Sequence, residues 1–308
     1  MNIKKINAVM NVNSKIKTTN SVKIFNVIGS LYTLLISVFC LIPFWLVISG
    51  SLSDNADIVK YGYSLIPRNF TLDAYKTVFL FPEQILRAYG VTISVTIIGT
   101  ITGLFMITAG GYVLNRKDFK YRNQISFFIY FTTLFSGGLI PWYILMVKYL
   151  HLRNSYMVLI IPILMSPFLI ILMKNFMKSI PDEIVESAKI DGAGDFKIYK
   201  DLIIPLAKPG LATIGLFLAL AYWNDWYLSS IFITDREKYS LQFLLYNILS
   251  SAQFLRSGIG SNVPVQYEIP TETIKLATAA VVTGPVILFY PFAQKYFVKG
   301  LTIGAVKG

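Results

Sequence analysis

Few residues in this chain are able to do covalent chemistry. His151 is the sole histidine and Cys40 the sole cysteine. That excludes a His-based triad, a multi-histidine metal site and an internal disulfide. Cys40 lies within an apolar block, and His151 reads as an ordinary loop residue. No G-x-x-x-x-G-K-[ST] stretch occurs, so phosphate binding would have to come from another chain. No catalytic residue, bound metal or cofactor is expected here. Two other constellations stand out. Residues 175–208 read NFMKSIPDEIVESAKIDGAGDFKIYKDLIIPLAK, acidic and glycine-punctuated in a mostly apolar protein. Trp223-Asn224-Asp225-Trp226 places a carboxylate between two indoles. Sugars stack on aromatic faces and bond to Asn or Asp, which would make these four residues part of a substrate pathway. An interfacial aromatic belt with a polar helix end accounts for the same residues.

In 175–208, Ser179 is placed to cap a helix, Pro181 fits its first turn, and Asp182 and Glu183 suit its positive end. Gly192 and Gly194 offer the left-handed residues that close it. Asp195 is placed to cap a second helix over 196–203, stopped by Pro205. Ile184, Ala188 and Ile190 give the first helix an incomplete apolar face; Phe196, Tyr199 and Ile203 do so for the second. Such a hairpin docks into a groove on another protein, or lies on a membrane or on its own spans.

The elements that must hold these residues are membrane helices. Hydrophobic residues make up 55% of the 308, charged residues 14%, and mean hydropathy is +0.59; soluble domains carry about 25% charged residues. A span needs about 20 apolar residues. Six stretches qualify, at 24–48, 89–114, 125–147, 156–173, 211–233 and 276–297. Asp225 falls 16 residues after Pro209, roughly 24 Å along a helix, near the outer boundary. Gly137, Gly138 and Pro141, Pro162 and Pro167, and Pro285 and Pro291 interrupt three spans. They either kink the helices or shape a wet cavity.

The net charge of +12 reflects membrane topology rather than nucleic-acid binding, since no basic stripe with interleaved aromatics is present. With the N-terminus inside, 18 of the 28 Lys and Arg fall on the inner side. Both termini are therefore expected in the cytoplasm. The tail 1–23 is basic, and the apolar run after it is too long for a signal-peptide core. The outer segments 51–88 and 234–274 are long enough to form a small cap.

The 175–208 segment resembles the EAA loop of permease subunits from binding-protein-dependent ABC importers. Glu186, Ser187, Ala188, Gly192, Leu202, Ile204 and Pro205 stand at the motif positions, with mild departures at Ser187, Leu202 and Ile204. Asp191-Gly192-Ala193, Phe196, Leu206 and Pro209 match the fuller form of sugar importers. Trp223–Trp226 and the C-terminal run 295–308 resemble the smaller permease of the maltose-type carbohydrate group, nearest a subgroup tied to oligosaccharides from complex polysaccharides.

The resemblance implies an all-α, six-span type I permease fold over 24–308 in the cell membrane, with a C-terminal tail at 298–308. It also implies a cytoplasmic coupling-helix loop that receives the push of a separate ATPase dimer carrying ATP and Mg. Glu186, Ser187, Ala188, Asp191, Gly192, Ala193, Phe196 and Pro205 would form the coupling site, with Phe196 as a packing anchor. A second permease subunit, an extracellular solute-binding protein and lipid complete the expected partners, and the cargo would be a sugar or oligosaccharide. An ion-gradient transporter would need ionisable residues deep in the spans, where Asp225 is nearly alone. A non-transport scaffold is the remaining alternative.

Overall fold

The computed structural model describes residues 20–79, 82–256, 272–285 and 287. The tail before residue 20, the Gly/Ser/Pro-rich loop from 257 to 270, the sixth expected span beyond 287 and the tail 298–308 lie outside the described residues. Among the described residues the regular structure is helical, with no strand. Helix α1 spans Asn20–Ser51. It is apolar all round, which suits lipid or another helix rather than water. It is exposed over most of its length, half-buried at Ile42, Leu46 and Val47, and buried only at Ser49, Gly50 and Ser51.

The centre of the molecule is α4, Pro82–Asn115. It packs against α7 (Tyr156–Leu164), α8 (Pro167–Met177) and α11 (Lys208–Trp223). Its glycines allow close approach, as expected where helices must associate without water to drive them together. A β-carbon at Gly99 would lie 2.4–2.8 Å from ring atoms of Tyr222, and one at Gly111 would lie 2.9 Å from Met173 Cγ. The Tyr222 hydroxyl donates to the Ile160 carbonyl at 3.0 Å, fastening α11 to α7.

Helices α1 and α4 are each long and apolar enough to cross a membrane, and three bent pairs qualify only when each is taken together. The stretch 125–147 is not one continuous helix. α5 (Arg122–Leu134) and α6 (Leu139–Tyr149) meet at 113°, and the turn uses Gly138 at φ +84°, a conformation that costs glycine little. α7 and α8 are bent by 47°, with Pro167 opening α8. Gly138 and Pro167 thus stand at real breaks, whereas Pro162 lies within α7, Pro141 within α6, and Pro291 lies outside the described residues. The stretch 211–233 also divides: α11 stops at Trp223, and α12 begins at Tyr227 and runs to Phe232.

The segments 51–88 and 234–274 do pack together. Ala74 and Val78 of α3 (Asp73–Val78) bury with Leu241 and Leu244 of α13 (Leu241–Arg256) and with Ala277 and Val282 of the helix over 272–285. A short α2, Asn55–Tyr61, precedes them, capped by Asp54, whose carboxylate accepts from the Ala56 amide at 2.7 Å. Asn154 clamps a second corner, its side-chain oxygen accepting from the amides of Thr234 and Asp235.

Candidate functional site

The 175–208 segment forms an elbow. Helix α9 covers Asp182–Ile190 and α10 covers Asp195–Leu206, and α10 meets α11 at 83°. Pro181, in extended conformation, stands at the N-cap, while the Ser179 hydroxyl turns back to the Phe176 carbonyl at 2.6 Å. Ser179 is therefore not the cap expected of it. A backbone already fixed by proline needs less help there. At the other end, Gly192 takes φ +79°. Its amide donates to the Lys189 carbonyl at 3.0 Å, and the Ala193 amide donates to Ala188 at 2.9 Å. This pair of bonds is a Schellman closure, with glycine at the left-handed position. Gly194 has φ −71°, so the left-handed role expected of it falls to Gly192 alone.

Asp195 also departs from expectation. It lies inside α10 without capping it, because its carboxylate is engaged by Arg116 at 2.7 Å. α10 runs through Pro205 to Leu206, with a wide π turn at Tyr199–Ile203 just before the proline. That turn accommodates the missing amide and the ring, which would otherwise break the ladder.

Burial sorts the apolar residues differently from the expected faces. Ala188, Ile198, Tyr199 and Ile203 are buried against the body of the protein, and the Tyr199 ring packs on Tyr112 at 5.6 Å. Ile190 is 86% exposed and Phe196 68%. Phe196 is not the packing anchor; it sits about 200° around the helix from Ile198, at 100° per residue. Glu186, Ser187, Asp191 and Pro205 are exposed as well, and Ala193 is half-buried. The loop thus packs on its own spans by one face and presents acids and two apolar tips on the other.

Sequence reasoning missed what holds the elbow. The loop following α4 carries Arg116, Lys117 and Asp118. Arg116 forms ion pairs with both Asp118 and Asp195, Lys189 reaches Asp118 at 2.8 Å, and Lys117 pairs with Asp182. Hydrogen bonds from Arg116 and then Lys189 hold the Asp118 carboxyl well below the usual carboxylate range. The Asp118 bond in turn raises the Arg116 guanidinium, with Asp195 adding to it, and Asp182 raises Lys117. Both α9 and α10 are therefore tied to the end of the central helix. The two cations and one acid of Arg116-Lys117-Asp118 find their opposites in Asp182, Asp195 and Lys189.

The Trp223–Trp226 cluster spans the break between α11 and α12. Trp223 is half-buried and sits 6.5 Å from the Tyr89 ring. Trp226 is exposed and stacks on Tyr246 at 4.5 Å. The two indoles meet different neighbours on either side of the break. Asp225 accepts from the Leu228 amide at 3.2 Å, opening α12. Asn224 is exposed, its side-chain oxygen 3.4 Å from Gln242 Nε2.

A helical body with apolar outer surfaces, broken helices and an ion-paired elbow defines the class: a membrane permease with no nucleotide-binding loop of its own. The model of the family described as the binding-protein-dependent transport system inner membrane component matches residues 99–303, and the chain belongs to that family. It is 39% identical over 289 residues, 93% of this chain and 99% of the relative, to the polygalacturonan/rhamnogalacturonan transport system permease protein YtcP of Bacillus subtilis. The arabinooligosaccharides transport system permease protein AraQ of Halalkalibacterium halodurans is 26% identical, over 91% of this chain and 95% of its own. The crystal structure of a bacterial ABC transporter involved in the import of the acidic polysaccharide alginate contains a chain 31% identical to this one, with TM-score 0.77, covering 91% of this chain and 99% of that one. The chain is thus an ABC importer permease component embedded in a membrane, and the secondary-transporter and scaffold alternatives fall away.

Proposed function

We propose that this permease passes oligosaccharides across the cytoplasmic membrane, driven by a separate ATPase dimer that binds ATP and Mg. The saccharides in the names of YtcP, AraQ and the alginate importer support the cargo class. In this reading the chain crosses the membrane six times with both termini inside, following the distribution of Lys and Arg. The domain runs over 24–308 after a basic tail at 1–23, with outer segments at 51–88 and 234–274. α11 is the crossing arm, and α10 is the loop arm, since its charged residues and the Asp195–Arg116 pair suit water rather than lipid. A second permease subunit and an extracellular solute-binding protein complete the importer.

The observation that carries the proposal is the elbow: anchored by one face, tied to the loop after α4 by three ion pairs, and offering exposed Ile190 and Phe196. Glu186, Ser187, Ala188, Asp191, Gly192, Ala193, Phe196 and Pro205 form the docking turn. Phe196 acts as a tip that enters the partner rather than as an internal anchor. Trp223, Asn224, Asp225 and Trp226 line the cargo route at the outer end, with Trp226 the exposed stacking surface.

The test is a cysteine at position 190 in the assembled importer, treated with a short bifunctional crosslinker. Crosslinks to the ATPase, together with uptake that stops on ATP depletion and survives an ionophore, are expected. Crosslinks confined to lipid or to this chain would overturn the docking. A panel including neutral and uronate oligosaccharides, offered with the binding protein, would define the cargo.

A further inference from the structure

The face bearing the elbow contains a second feature, which shares the Lys117–Asp182 pair with the elbow. An open cleft of about 430 Å³ lies where α5 begins, α8 ends and α9 begins. Lys117, Arg122, Lys174 and Lys178 line it, against one carboxylate, Asp182. That carboxylate is already engaged by Lys117. Lys174 gives one N–H to Ser126 Oγ at 2.8 Å, and Arg122 gives one to the Arg116 carbonyl at 3.4 Å. Lys178 has no ion pair or side-chain hydrogen bond among the described residues. Three positive charges in excess thus face one cleft. α5 also starts there without a side-chain cap, so its N-terminal amides and dipole favour an anion too.

A soluble anion would use only this half of the surface. Directly beyond Arg122, α5 buries none of its residues, and Ile125, Phe127, Phe128 and Phe131 are exposed. A cationic cleft continuous with an apolar, aromatic helix face matches a molecule with an anionic head and hydrocarbon tails. We propose that the cleft binds the phosphate of an anionic phospholipid, with its acyl chains along α5. The lipid source rests on the inner-face orientation proposed above; positive residues at that face meet the anionic leaflet.

The experiment uses the purified, assembled importer in detergent and native mass spectrometry, with phosphatidylglycerol, phosphatidylcholine and inorganic phosphate as probes. Phosphatidylglycerol should be retained in preference to phosphatidylcholine. Its affinity should fall about fivefold in Lys178→Gln and about twenty-five-fold in Arg122→Gln/Lys178→Gln, at about one such factor per cation lost. Lys197→Gln, on α10 outside the cleft, should leave it unchanged. Equal retention of the two lipids, or an unaffected double variant of normal monodispersity, overturns the site. Displacement of the lipid by low millimolar phosphate overturns the lipid source in favour of a free anion. A crosslink from position 178 to a partner subunit, with no lipid bound, shows that a protein carboxylate covers the cleft instead. ATP-driven uptake, measured after reconstituting the same preparations into sealed vesicles, separates the two proposals: intact uptake without lipid selectivity refutes only this one, and selective binding without ATP-driven uptake refutes only the importer function.

Discussion

Gly192 offers the sharpest test of the elbow. It holds φ +79° with nothing within 4 Å of an added β-carbon. Within this chain, any effect of a side chain there is therefore backbone strain and not a clash, and the Asn variant below separates strain from a clash with the partner. An L-residue in this region costs roughly 1–2 kcal/mol, and a β-branched one is a genuine outlier. Gly192→Val should therefore lower the ratio of closed to open turn by a factor of about 5–30, weakening the Gly192–Lys189 and Ala193–Ala188 bonds. Gly192→Asn, which tolerates the left-handed region, should retain most of it. Gly194 provides the control: at φ −71° and ψ 156° it is an extended N-cap position, where Gly194→Ser should be neutral or slightly stabilising. The assay is oligosaccharide transported per ATP hydrolysed, in proteoliposomes containing the full importer. The ratio should drop for Gly192→Val, recover with Asn and hold for Gly194→Ser. A valine variant that assembles and couples normally would refute the reasoning, and so would a Gly194→Ser defect of equal size.

The remaining predictions concern the anchoring of the elbow and the packing behind it. Asp118→Asn removes partners of both Arg116 and Lys189. Because these groups are partly or largely exposed, the stability loss should be small, about 0.2–1 kcal/mol per pair, while hydrogen exchange over 182–198 should rise clearly; unchanged protection would show that the ties are idle. Asp118's depressed pKa contributes stability above the unfolded value, about 3.9, and loses it as pH falls through the folded one. Protection of the elbow should thus be flat from pH 8 to 5 and decline only in stronger acid, and a decline near pH 6 would contradict this. Gly99→Ala forces a β-carbon into the Tyr222 ring and should cost about 1–3 kcal/mol, read by thermal unfolding in detergent; pairing it with Tyr222→Ala should recover part of that loss. Trp226→Ala should reduce uptake with assembly intact, whereas Trp223→Ala, which empties a packed position, should lower the yield of complex; the reverse pattern would move the cargo route to Trp223.

What could be read in the sequence, and what could not, follows from the range of the forces involved. Apolar stretches announced the long helices because a run of twenty such residues has few alternatives. Gly192 was legible because its position after a helical run and before Ala193 is a local signal. The break at 135–138 was visible only as candidate breakers, since the 113° angle depends on what α5 and α6 pack against. Ser179 and Asp195 were misassigned because the rules for caps know nothing of Pro181's fixed backbone or of an arginine 79 positions away. Phe196 failed for a related reason: a short helix does not reveal which side faces the body until Ile198 and Tyr199 find Tyr112 and its neighbours. The ties from Arg116 and Asp118 are long-range pairs between exposed charges, which leave almost no trace in one sequence.

The right-angled junction between α10 and α11 has a mechanical consequence. The two arms hold 12 and 16 residues, about 18 and 24 Å at 1.5 Å per residue. Turned as one rigid piece about Ala207, they form a bell crank: a 3 Å shove at the α10 tip swings the far tip by about 4 Å and redirects it through most of a quarter turn. The fulcrum must not slip. Gly210 sits there with no room for even a methyl group, since a β-carbon would come within 2.9 Å of the Phe176 ring. A lever of this shape delivers stroke at the expense of force, which fits a gate that has to open wide against little load.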